Sequence, residues 1–236
     1  MSDTTHIENV MISARGITKS FGSGPLVTQI LRGIDVTIYK GEFVAIMGKS
    51  GAGKSTFMYQ LSLLDQPTSG TIYIDNTAVD TMNETDRTTF RLNTLGYVFQ
   101  DYALVPDLSA EENIMLPLLM KGAGTADARV VARTSIDAVG MPGKYKNLPS
   151  ELSGGEQQRI AVARAIAGKP KILFADEPTA NLDSTSSQQV IELITSLNRD
   201  HGQTIVMVTH EREYALGCHR IIHMEDGQII NEERLR

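Results

Sequence analysis

Residues Gly48–Ser55 read GKSGAGKS, a glycine-rich run ending in a lysine and a hydroxyl side chain. That pattern suits anion binding. Glycines let successive backbone N–H groups curl around a phosphate without side-chain obstruction. The spacing fits a phosphate loop, G-x-x-x-x-G-K-[ST]. Gly48, Lys49, Ser50, Gly51, Ala52 and Gly53 would form the cradle. Lys54 would reach the β- and γ-phosphates of a nucleotide. The Ser55 hydroxyl would coordinate Mg²⁺, and Thr56 would touch the neighbouring phosphates. Lys49 occupies a variable position, and its charge either supplements the loop or is solvated.

A second candidate pair is Asp176 and Glu177, directly after the apolar run Ile172–Ala175. A carboxylate at the C-terminal end of a parallel strand faces the ligand crevice. Asp176 there would hold Mg²⁺ through water, and Glu177 would orient or deprotonate an attacking water. A third candidate is Leu152–Gln157, LSGGEQ. Ser153 and Glu156 make the S-x-x-E of a capping box. Gly154 and Gly155 would leave the helix start bare, which makes it a second anion site.

These residues need elements to position them. Phe43–Met47, FVAIM, reads as a buried strand leading into the phosphate loop. Lys54–Asp65 reads as the following helix, with Phe57, Met58, Leu61 and Leu64 inward and Pro67 as the stop. Ala14–Phe21 and Thr71–Asp75 read as strands of an antiparallel region. Asp86–Thr94 reads as a helix and Gly96–Gln100 as a strand. Thr125–Val139 reads as a helix with Val130, Val131, Ile136 and Val139 on its apolar face. Ser153–Ala167 and Ser184–Asn198 read as helices, Thr204–Thr209 as a buried strand, and Ile221–Ile230 as a hairpin around Asp226–Gly227. The order implies an α/β phosphate-loop fold, with a mostly parallel RecA-like sheet, an antiparallel β subdomain and an inserted helical subdomain. The expected division is residues 12–100 with 165–236 as the core and 101–164 as the helical part, with 1–10 a flexible tail.

The chain has 236 residues, with 22 basic and 28 acidic side chains and a net charge of -6. That balance argues against broad nucleic-acid binding, which needs a basic face. Cys218 is the lone cysteine, so no intrachain disulfide forms. The expected role for it is a small buried hydrophobe in a reducing compartment. His6, His201, His219 and His223 show no metal-ligand spacing. The longest apolar stretch, Ile114–Met120, contains Pro117 and falls short of the about 20 residues that span a bilayer.

Together, the phosphate loop and LSGGEQ resemble the ATP-binding cassette family, of which the latter segment is the signature. The other marks follow in family order, over about residues 12–228. Gln100 matches the Q-loop glutamine, which in the family touches Mg²⁺ and the attacking water. Ala180–Asp183, ANLD, matches the D-loop, and His210 matches the switch histidine. Phe21 sits where the family stacks an aromatic ring on adenine. The resemblance implies ATP and Mg²⁺ as ligands, with Glu177, His210 and Lys54 catalytic. It also implies that Ser153, Gly154, Gly155, Glu156 and Asp183 meet a nucleotide held by a second copy of the chain, in a head-to-tail dimer.

Leu64–Gly70 and Glu112–Leu119 look like the branch of the family serving lipoprotein release, macrolide export, peptide-antibiotic resistance and cell-division complexes. That branch keeps cassette and membrane permease on separate chains. The permease would dock near Gln100–Pro106, on the semi-apolar Tyr102, Leu104, Val105 and Pro106. Local packing of the helical subdomain is the competing account of that loop. The chain would then sit in the cytoplasm, on the inner face of the membrane. The alternatives are a soluble ATPase of the same family, in translation or repair, and a phosphate-loop kinase. The first lacks here a second cassette or coiled-coil insert, and the second would leave LSGGEQ unexplained.

Overall fold

The computed structural model describes residues 9–22 and 24–235. The chain divides into two compact units, residues 1–88 with 198–236 and residues 89–197. Residues 1–8 of the expected tail lie outside the described residues. Val10 is not tail, because it opens the first strand.

In the first unit β1 (Val10–Phe21) pairs antiparallel with β2 (Thr28–Tyr39) on one edge and with β4 (Ser69–Ile74) on the other, and β5 (Thr77–Ala78) follows β4. The sequence reading missed β2. Its Ile34, Val36 and Ile38 alternate inward, but Gly33 takes a φ of 80° and the pairing slips beside it. A register shift breaks the two-residue period on which such a reading relies.

The parallel part of this unit centres on β3 (Phe43–Met47), whose five residues are all buried. It runs parallel to β8 (Thr204–Val208) and to β9 (Arg220–Glu225). Burial on both faces explains the unbroken apolar runs of β3 and β8. β10 (Gln228–Arg234) closes the hairpin as expected. Asp226 and Gly227 both have positive φ, as a tight two-residue turn requires. The buried Arg220 guanidinium binds Glu42 at 3.0 Å and Glu232 at 2.7 Å, and donates to the Thr37 carbonyl at 2.7 Å. Cys218 is fully buried and in no disulfide.

Helix α1 (Lys54–Leu61) follows the phosphate loop but stops four residues short of Asp65. Leu63 adopts φ 60°, which ends the helix before Pro67 is reached. Phe57, Met58 and Leu61 are buried as expected, whereas Leu64, beyond the break, is exposed. Helix α2 (Glu84–Thr94) leads into the second unit.

There β6 (Leu95–Val98) pairs parallel with β7 (Ile172–Asp176). The expected strand Gly96–Gln100 therefore ends early, and Gln100 lies in the turn beyond it. Three helices form the second core: α3 (Ala110–Met120), α4 (Thr125–Ala138) and α5 (Gly154–Ala167). The sequence analysis assigns no helix to this stretch, and α3 runs through Pro117 in its interior. Ser109 and Glu112 start it with a full capping box. The inward face of α4 also differs from expectation. Ala128, Ala132 and Ile136 are buried, while Val130 is 66% exposed and Val131 is exposed too. Alanines let the helix approach its neighbours closely, which the bulkier valines would prevent. Helix α6 (Ser184–His201) and the short α7 (Arg212–Ala215) complete the order. No helix among the described residues is long and apolar enough to cross a membrane.

The α4 assignment predicts a contrast. Ile136→Ala should lower unfolding stability by about 2–5 kcal/mol, the cost of a core cavity. Val130→Ser should change it by no more than about 0.5 kcal/mol. Urea denaturation of both variants checks this, and a reversed order would refute the face described here.

Candidate active site

In the first unit β3 delivers Gly48 at its buried end. A side chain there would meet the Met224 carbonyl oxygen, a fixed backbone group. Gly53, the N-cap of α1, has φ 92°, a conformation L-residues rarely adopt. No side chain caps α1. Its first-turn N–H groups and the positive end of its dipole therefore face an incoming anion. Lys54 is buried, and its ammonium donates to the Lys49 carbonyl at 3.1 Å across the loop. Lys49 itself is exposed, with its Nζ 3.4 Å from the Glu225 carboxylate. Ser55 and Thr56 occupy the first turn of α1.

Phe21 ends β1 with half its surface exposed. His210 is exposed, two residues past the buried β8. His219 and His223 are engaged elsewhere. The first accepts the Phe43 amide at 3.0 Å, and the second lies 3.4 Å from Glu233.

In the second unit Asp176 is the last, buried residue of β7. Glu177 follows with φ 42°, a left-handed conformation costly for a side chain with a Cβ. Strain of this kind is tolerated where surrounding structure fixes it, and here part of the fixing is visible. Gln158 of α5 is fully buried. Its Nε2 donates to the Pro178 carbonyl at 2.8 Å and to the Phe99 carbonyl at 3.2 Å. One side chain thus holds the residue after Glu177 and the residue before Gln100.

Two further straps hold the turn at Gln100. Asn181 Nδ2 donates to the Gln100 carbonyl at 3.3 Å and to the Asp101 carboxylate at 3.0 Å. The Arg164 guanidinium donates to the carbonyls of Tyr102 and Ala103, both of which have positive φ. Burial draws the Arg164 guanidinium below its ordinary pKa. Gln158 and Arg164 were missed in the sequence, where glutamine and arginine on a polar helix read as solvated.

The capping box at Ser153 forms as expected. The Glu156 amide donates to Ser153 Oγ at 3.3 Å, and the Ser153 amide donates to the Glu156 carboxylate at 2.9 Å. The Ser153 amide bond, then Lys144 at 3.1 Å, hold the Glu156 carboxyl below its usual range. Gly155 is buried, and a Cβ there would come within 2.7 Å of the Ser186 side chain. A Cβ on Gly154 would meet the Tyr102 hydroxyl at 2.7 Å. Close packing against Ser186 favours glycine at 155, a side chain at 154 would displace the Tyr102 hydroxyl, and Ser153 is the exposed member of the set. Asp183 accepts the Ser186 amide at 3.0 Å and its hydroxyl at 2.7 Å, which caps α6 and lowers the carboxyl's pKa.

A family model described as ABC transporter matches residues 31–180. The chain belongs to the ABC transporter family. It is an ATPase domain of that family, and the α/β fold expected from its motifs is the fold of solved cassettes. It is 46% identical over 204 residues to the lipoprotein-releasing system ATP-binding protein LolD of Aquifex aeolicus, covering 86% of this chain and 91% of that protein. It is 40% identical over 225 residues to the uncharacterized ABC transporter ATP-binding protein YbbA of Escherichia coli K12, covering 95% and 98%. Among solved structures, the dimeric post-hydrolysis state of the cassette MJ0796 bound to ADP and Pi matches with a TM-score of 0.89 and 38% identity, over 96% of this chain and 99% of that one. MJ0796 is a protein of Methanocaldococcus jannaschii.

Helix α5 begins within the LSGGEQ segment, and Gln158 links that helix to the backbone beside both Gln100 and Glu177. Gln158→Leu would orphan the buried Pro178 carbonyl at about 1–3 kcal/mol and take one of two bonds from the Phe99 carbonyl, which also accepts the Tyr102 amide, at about 1 kcal/mol. A stability loss of about 2 kcal/mol or more in chemical denaturation is expected. A loss below about 0.5 kcal/mol would show that the two bonds do not hold these segments.

Proposed function

We propose that this chain binds ATP on residues 48–56, pairs with a second copy of itself, and hydrolyses the nucleotide to drive a separate membrane permease. The carrying observation is Glu177, held in a left-handed backbone conformation directly after the buried β7, in a chain that also carries an uncapped phosphate-loop helix. A carboxylate fixed in that way is preorganised for one task. Glu177 takes a proton from water as the water oxygen attacks the γ-phosphorus. The bond from that phosphorus to the β–γ bridging oxygen breaks, and ADP leaves. Lys54 and the first-turn amides of α1 neutralise the phosphate charge. His210 contacts the γ-phosphate, and Phe21 stacks on the base.

The donors assigned to Mg²⁺ are the Ser55 hydroxyl, the Gln100 side chain and the Asp176 carboxylate. They fit the ion in kind, because Mg²⁺ takes oxygen ligands and keeps waters and phosphates as the remainder. No cluster of three His, Cys, Asp or Glu occurs among the described residues, so no all-protein cage competes with that arrangement. Held there, the ion would supply positive charge against the charge that develops on the phosphate.

Pairing is supported by the solved MJ0796 cassette, which is dimeric. In this chain Ser153, Gly154, Gly155, Glu156 and Asp183 would face the partner's nucleotide. The cargo class is supported by relatives named as lipoprotein-releasing, so release of a lipoprotein from a membrane is the favoured task. The permease site is supported by a groove of about 270 Å³ in the second unit. Phe99, Ala103, Leu116, Pro117, Met120 and Arg164 are among its lining. Its apolar wall is α3, where Leu116 and Met120 are exposed. Leu104, expected to face the permease, packs instead against the helical core.

Glu177→Gln should lower ATP turnover by at least about 100-fold, as loss of a positioned base does. The variant should still bind ATP and form an ATP-dependent dimer in size-exclusion chromatography. Turnover at the unmodified rate would refute the assignment. Met120→Asp should leave turnover of the isolated chain within about twofold and abolish co-purification with the permease. Retained co-purification would move the docking site elsewhere.

A further inference from the structure

Three buried or half-buried groups of the first unit have no task in the reading above. Gln60, Asp65 and Lys19 stand apart in sequence, on α1, on the turn after it and on β1. Lys19 Nζ lies 4.9 Å from the centroid of the Phe21 ring. The same ammonium contacts the Asp65 carboxylate at 2.7 Å and donates to the Gln66 carbonyl at 2.7 Å. Its side chain is only 12% exposed, so the charge is held rather than sweeping through solvent.

Asp65 is fixed in turn. It accepts the Gln66 amide at 2.7 Å and Gln60 Nε2 at 3.1 Å. Burial raises its pKa, but the bonds from Lys19, Gln60 and the Gln66 amide outweigh that and leave it below its usual value. Gln60 is fully buried in α1 and also donates to the Thr56 carbonyl at 3.2 Å. A continuous chain of contacts therefore runs from Thr56, at the phosphate end of α1, through Gln60, Asp65 and Lys19 to the Phe21 ring.

A cation over an aromatic ring is attracted to the π-face. It also draws π density toward itself. The opposite face becomes electron-poor and a better stacking partner for an electron-rich purine. We propose that Lys19 is a positioning residue for nucleotide binding: clamped by Asp65 and the Gln66 carbonyl, its ammonium fixes the Phe21 ring and prepares the ring's other face for adenine. This rests on Phe21 being the base platform. The same clamp sets the platform at a fixed remove from the phosphate loop, because both ends of the contact chain belong to α1 or are held by it.

The test is equilibrium binding of Mg·ATP and of the base-free ribose 5′-triphosphate, by titration calorimetry, to the unmodified chain and to Lys19→Met, Lys19→Gln, Phe21→Ala and Lys19→Met/Phe21→Ala. Melting curves confirm that each variant is folded. Both Lys19 variants should weaken ATP binding about three- to tenfold, in the range of a partly desolvated cation–π contact. Ribose 5′-triphosphate binding should not change. In the Phe21→Ala background Lys19→Met should have no further effect, since the cycle isolates the pairwise contribution.

Several results would overturn the proposal. One is an equal loss for ATP and ribose 5′-triphosphate, which marks a structural ion pair. Another is a loss of the same size in both backgrounds. A third is a loss in Lys19→Met that Lys19→Gln does not share, which assigns the effect to hydrogen bonding. If Phe21→Ala weakens ATP and the Lys19 variants do not, the proposal alone fails. If Phe21→Ala binds ATP as tightly as the unmodified chain, the base-platform reading fails, and the proposal falls with it.

Discussion

A loop that wraps a triphosphate must be rigid without having side chains to make it so. Its rigidity comes from what flanks it, and the rest of the first unit is arranged around that requirement. β3 is buried on both faces between β8 and β9. Gly48 approaches the Met224 backbone too closely for any side chain. The Gly227 amide donates to the Ala52 carbonyl at 3.1 Å. Apolar burial thus fixes the entry to the loop, and the turn of the closing hairpin fixes its middle. Within the loop the Ala52 amide donates to the Lys49 carbonyl at 3.1 Å, so backbone bonds rather than side chains hold its shape.

The second unit meets a different requirement. Its candidate site residues Gln100 and Glu177 stand beyond the ends of β6 and β7, where backbone groups must find partners other than a regular ladder. Side chains of α5 supply many of them. Gln158 and Arg164 donate to four backbone carbonyls between them. Left-handed conformations at Tyr102, Ala103 and Glu177 persist in the midst of these bonds. The helix that starts at the signature segment is therefore also the frame on which the Gln100 and Glu177 segments hang. Displacement of that helix would reach both segments through single hydrogen bonds.

What the sequence disclosed follows a physical division. The phosphate loop, the capping box at Ser153 and the strand before Asp176 depend on contiguous residues, so their chemistry is written locally. The exceptions depend on distant partners. Gln158 has the composition of a solvated helix residue, and only the fold buries it. β2 hid because Gly33 breaks its alternation. No helix is legible in the stretch around Pro117, yet α3 runs through it to Met120. On α4 Ile136 and Val139 are buried as read, Val130 and Val131 are not, and the small Ala128 and Ala132 complete the contact face. Phe21 could be placed by resemblance, but the cation beside it belongs to a contact between β1 and the turn after α1.

The single thiol has a practical consequence. Cys218 lies fully inside the first unit, bonded to no other sulfur. Maleimide reagents need a solvent-accessible thiolate. A cysteine introduced on the surface would thus be the sole attachment point for a probe, with the native residue left in place. Spin labels or fluorophores attached that way would report distances between two copies, or between copy and permease, on an otherwise unaltered chain.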